Sequence, residues 1–91
     1  DGERGAGLYA EAGRIALEQL LDPELASRHF EKALSLDTEH LGALRGLADL
    51  HEKRMAWTSA VDALLRAEQL SGNRLERVEL IWRAGEMYDA P

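Results

Sequence analysis

Two stretches decide the reading of this chain: Ala26-Ser27-Arg28-His29-Phe30-Glu31-Lys32-Ala33 and Ala60-Val61-Asp62-Ala63-Leu64-Leu65-Arg66-Ala67. They align without gaps, so Ala26, Phe30 and Ala33 return as Ala60, Leu64 and Ala67, each 34 residues later. A small-x3-large-x2-small spacing places all three side chains on one face of a helix. Self-similarity at a fixed period of this size marks chains built from one repeated supersecondary unit.

Outward from these two segments the pattern stays helical. Apolar residues recur at spacings of three and four, good helix formers dominate, and only two prolines occur in 91 residues. Five helices are expected, over Arg4–Leu21, Pro23–Leu36, Glu39–Lys53, Trp57–Leu70 and Arg74–Tyr88. Asp22-Pro23 supplies an N-cap followed by proline at the first helical position. Asp37-Thr38 breaks the second helix, and Ser71-Gly72-Asn73 ends the fourth, with Gly or Asn expected in the left-handed conformation. The leading Gly2, Gly5 and Gly7 make residues 1–6 an expected flexible segment. In the first helix Leu8, Tyr9, Ala12, Ala16, Leu17 and Leu20 are expected inside. The connections are so short that successive helices must run antiparallel.

Composition narrows the function. The chain is 45% hydrophobic and 31% charged, enough apolar surface for one modest core with a folded area of roughly 5,300 Å². A net charge of −6 argues against wrapping nucleic acid. No apolar run approaches the length of a membrane span, so no membrane insertion is expected. With no cysteine, disulfides, Cys-ligated zinc and thiol catalysis are excluded, and the compartment stays open.

The repeat resembles the tetratricopeptide repeat family. Tyr9, Ala12, Gly13 and Ala16 fit the first helix of a first repeat, and Leu44, Leu47, Ala48 and His51 that of a second. Ile81, Ala84, Gly85 and Tyr88 open a third, while Ala26, Phe30, Ala33 and Ala60, Leu64, Ala67 fit the second helices. The resemblance implies an all-α fold in which antiparallel hairpins stack as a right-handed solenoid of about five helices. It divides the single domain, residues 7–91, into repeats over about 7–38 and 39–73 and a partial repeat or closing helix over 74–91. In the closing-helix arrangement Ile81, Met87 and Tyr88 pack inward and Glu79, Arg83 and Glu86 face outward. Gly13, Ala48 and Gly85 are small so that helices approach closely. The chain departs from the family pattern by one extra residue around Leu20–Pro23, three around Ser71-Gly72-Asn73, and Thr38 in place of the closing proline. Two and a half repeats suggest an excerpt of a longer array, because such units are stable only when stacked.

No constellation for catalysis emerges. His29, His40 and His51 fall on three different elements and lack metal-ligand spacing, so neither a metal nor a cofactor is expected. The glycines at the start follow no strand and lack the ending of a phosphate loop. Ser27, Ser35, Ser59 and Ser71 lack a nucleophile elbow. His51 stands at a large apolar position and is expected at a helix–helix seam.

What the resemblance implies for function is a concave groove lined by the first helix of each repeat, holding a peptide or helix of another protein. Its candidate contacts are Arg14, Leu17, Arg45, Asp49, Lys53, Trp82, Arg83 and Glu86. Leu17 and Trp82 would supply apolar contact, and Arg14, Arg45 and Arg83 a ladder for carboxylates, unless Asp49 and Glu86 neutralise it. Gly42 and Gly46 either admit a ligand backbone or relieve crowding within the fold. Ala10, Arg14, Gly46, Glu79 and Arg83 replace most of the family's chaperone-tail clamp, which disfavours that ligand. The competing expectation is a structural spacer or a homodimer formed through helix five.

Overall fold

The computed structural model describes residues 2–90; Asp1 and Pro91, at the two ends of the expected segments, lie outside it. The protein is all-helical, with α1 over Gly2–Glu18, α2 over Pro23–Leu36, α3 over Leu41–Lys53, α4 over Trp57–Leu70 and α5 over Arg74–Tyr88. Its dimensions are 36 × 29 × 18 Å, and it exposes 5865 Å². That is somewhat above the area expected for a compact chain of this mass.

The caps explain where the helices begin. Leu25 N–H donates to Asp22 Oδ1 at 3.1 Å, with Pro23 opening α2 as expected. α3 starts two residues later than the sequence suggests because His40 is its cap, Nδ1 accepting from Ala43 N–H at 3.0 Å. Asn73 caps α5 through Oδ1 and Glu76 N–H. The turn before α5 contains no left-handed Gly or Asn; it is built on Ser71 instead. Its buried hydroxyl donates to Glu76 Oε1 at 2.6 Å and accepts from Asn73 N–H. Left-handed backbone occurs at Leu21 (φ 53°) and Met55 (φ 57°), themselves 34 residues apart. Ala56 N–H bonds back to His51 C=O, whereas Asp22 N–H bonds back one position further, to Ala16 C=O, which accommodates the extra residue of the first turn.

Two apolar clusters share α3. The first joins α1, α2 and α3 through Ala6, Ala10, Ala16, Leu17, Ala26, Phe30, Ala33, Ala43 and Leu50. The second joins α3, α4 and α5 through Leu44, Ala48, Ala60, Val61, Leu64, Ala67, Leu80, Ala84 and Met87, with Ala63 at its edge. Ala26, Phe30, Ala33, Ala60, Leu64 and Ala67 are all fully buried. Phe30 is the wedge of the first cluster. A side chain on Gly13 would put Cβ 2.7 Å from its ring, and one on Gly46 would collide with the same ring. Truncating such a ring to alanine costs about 3–5 kcal/mol.

Several expectations are corrected. The leading glycines lie inside α1, and Ala6 is fully buried, so residues 2–6 belong to the packed helix rather than a flexible segment. Leu8 and Leu20 are exposed, while Ala10 and Gly13 are buried in their place. Of the two residues the pattern offers for the buried position on α3, His51 or Leu50, it is Leu50 that is fully buried and His51 that is half-exposed. On α5, Leu80, Ala84 and Met87 face the core, whereas Ile81, Gly85 and Tyr88 are exposed. The first helix of each pair carries two apolar stripes, and only the one facing the preceding helix is covered on α5.

Candidate functional site

α1, α3 and α5 contribute side chains to one polar face. Asp49, in the middle of α3, accepts from Arg14 of α1 at Oδ2 (2.5 Å) and from Arg83 of α5 at Oδ1 (2.5 Å). Arg14 also reaches Glu18, one turn along α1, at 3.2 Å, and Arg83 reaches Glu52 at 2.8 Å. One carboxylate thus ties three helices, and a chain of alternating charge runs Glu18–Arg14–Asp49–Arg83–Glu52. Farther along, Arg45 pairs with Glu76 at 2.7 Å, and the other oxygen of Glu76 receives the Ser71 hydroxyl.

These pairs are half-buried, which sets their electrostatics. Partial burial works against charge on Arg14 and Arg83. The adjacent carboxylates outweigh it, Asp49 and Glu18 for Arg14 and Glu52 and Asp49 for Arg83, and hold both guanidinium groups above their ordinary range. The arginine ladder is therefore neutralised from within, and a ligand carboxylate would have to displace Asp49, Glu52 or Glu76.

The eight candidates do not converge. Arg14, Leu17, Asp49 and Lys53, with Glu18 and Glu52, line an open cleft of about 410 Å³ between α1 and α3. Leu17, expected as an apolar contact for a ligand, is 2% exposed and belongs to the core, so only its edge floors the cleft. Arg45 and Arg83 bridge α3 to α5. Glu86 is exposed on α5, and Trp82, 70% exposed, shares a shallow depression with Gly85, Glu86 and Asp89, away from the cleft. Gly46 is buried beneath Phe30 and relieves crowding rather than admitting a ligand; Gly42 is exposed beside the His40 ring. The carboxylates that consume the arginines, Glu52 and Glu76, escaped the sequence reading. Glu76 lies 31 residues from Arg45, and nothing local in the sequence announces the pair.

The three histidines take separate places. His29 stacks on Tyr9 with centroids 6.1 Å apart, His40 caps α3, and His51 is lowered in pKa by burial and then by Arg54. Among the described residues no group of three or more His, Asp or Glu is placed to hold a metal ion, and no helix is long and apolar enough to cross a membrane. Compared with known proteins, the chain matches no family model, no curated protein and no solved structure.

Proposed function

We propose that the chain is a non-catalytic protein-interaction module. In this reading its helices are stacked antiparallel hairpins of a right-handed solenoid akin to the tetratricopeptide repeats, and the face shared by α1, α3 and α5 receives a peptide or helix of another protein. The observation that carries the reading is the equivalence of positions 34 residues apart. Ala26 and Ala60, Phe30 and Leu64, and Ala33 and Ala67 are each fully buried, and Leu21 and Met55 adopt the same rare backbone conformation. Repetition of this kind produces extended surfaces suited to binding other chains. Because its arginines are already paired, the face suits a ligand with charges of both signs better than a purely acidic one.

Selection of peptides from a random display library against the folded chain tests this reading. Ligands that shift amide resonances around Arg14, Arg45 and Lys53, and lose affinity on Arg45→Glu with helicity unchanged, support it. Ligands that never perturb this face overturn it.

A further inference from the structure

The end of the molecule beyond α5 carries a second surface, separate from the polar face. On α1 the stripe Tyr9–Gly13–Ala16 is covered by α2, whose Phe30 ring lies on Gly13. On α3 the aligned stripe begins Leu44–Ala48 and packs into one cluster with Ala60, Val61 and Leu64 of α4. On α5 the aligned stripe is Ile81–Gly85–Tyr88, and it is open. Ile81 is 50% and Tyr88 73% exposed, and a Cβ added at Gly85 would meet nothing within 4 Å. Val78 and Trp82 flank it and are exposed as well. About three turns of α5, from Val78 to Tyr88, thus present to water a face suited to a helix seam, including a gap where α1 receives a phenylalanine.

We propose that this face is the seat of one amphipathic helix, docked antiparallel to α5 and carrying the small-x3-large-x2-small pattern of α2 and α4, with its large side chain over Gly85. The chain itself dictates the occupant: twice already it covers this stripe with such a helix. The pairing also fixes direction, since the start of α1 at Gly2 lies against the carbonyl of Leu36 at the end of α2. Arg74, aligned with Gly2, then meets the carbonyl end of the incoming helix, whose partial negative charge a cation favours. A second copy of the chain is a poor occupant. Its own small-large-small faces on α2 and α4 are fully buried. Its other open apolar stripe, Leu8 and Ile15 of α1, is aligned with the α5 residues that pack on α4, so it too calls for a helix of the second kind.

The test uses the full chain with Trp57→Phe, which leaves Trp82 as the sole tryptophan, and a synthetic peptide spanning Asp22–Asp37 as the probe. Saturable blue-shifted Trp82 emission is expected with this peptide. The shift should be lost when the peptide carries Phe30→Glu, and weakened about tenfold or more by Gly85→Leu in the chain, which fills the gap. Because Gly85 is in open space, that variant folds, and retained helicity verifies it. Arg45→Glu, on the polar face, should leave the shift unchanged, so this seat and the proposed groove fail separately. Appending Asp22–Asp37 after Pro91 through a flexible linker gives the same readout at high effective concentration. No shift in either format, a shift indifferent to Gly85→Leu, or concentration-dependent dimerisation abolished by Ile81→Glu would overturn the proposal; the last result assigns the face to a second copy.

Discussion

Phe30 of α2 fills the space that a side chain at Gly46 of α3 would need. Sequence position 46 therefore answers to a ring sixteen residues earlier and not to the helix it sits in. Gly46→Ala gains about 1 kcal/mol in helix propensity but must displace a fully buried ring, at about 1–3 kcal/mol. A net loss of stability is expected in urea denaturation. Gly85→Ala, in open space, is the control and should stabilise by up to about 1 kcal/mol.

Asp49 serves two arginines from two other helices. Replacing it with Asn keeps the shape and removes the charge that both guanidinium groups face. We expect a loss of about 1 kcal/mol, which is the upper range for partly exposed pairs. The loss should shrink in high salt, where such pairs are screened in the parent protein too. Chemical denaturation at low and high ionic strength measures it, and an equal loss at both would exclude an electrostatic origin.

Leu21 and Met55 hold positive φ without being glycine, and both are largely exposed. Left-handed backbone costs a side-chain-bearing residue roughly 1–2 kcal/mol, against which glycine's greater freedom in the unfolded chain must be set. Leu21→Gly and Met55→Gly should each raise stability by about 0.5–1 kcal/mol, visible as a higher Tm. A fall in Tm at either site would contradict the left-handed turn.

His51 gives stability a pH dependence of known sign. Burial first, then Arg54, holds its imidazole below the ordinary value of 6.5, with Glu31 acting in the opposite direction. The unfolded chain therefore binds this proton more readily than the folded one. The contribution of His51 is complete above about pH 6.5 and falls as pH drops from there to the lowered folded value, below which it levels off. His51→Gln should flatten this part of the stability curve, measured as the difference in unfolding free energy between the two proteins across pH 5 to 8, roughly the window in which histidine titrates.

Much of the helix inventory was legible because its causes are local. Asp22-Pro23 starts a helix by cap chemistry, and the 34-residue recurrence marks the buried positions of α2 and α4 without any tertiary knowledge. The misreadings share a different cause. A first helix carries two apolar stripes one residue apart, and sequence pattern does not say which one a neighbour covers; hence Ile81 and Tyr88 join Met87 as expected inward residues, whereas Leu80 and Met87 are the buried ones. Leu17 is expected both on the buried side of α1 and, through the family resemblance, on the groove, and the first cluster claims it. The ion pairs of Arg45 and Arg83 join residues 31 to 34 apart, a distance over which charge patterning carries no signal.

Among the described residues no Cα of α3 comes within 8 Å of one in α5, although α1 and α3 do approach this closely. The Phe30 wedge and the Arg14–Asp49 pair both hold the first junction, whereas the second is crossed by arginine forks over an apolar cluster shared with α4. Dissolved ions can loosen forks but leave a ring untouched. Raising electrolyte concentration should thus weaken the polar seam between α3 and its two neighbours while leaving the Phe30 wedge and the packing of α5 on α4 in place.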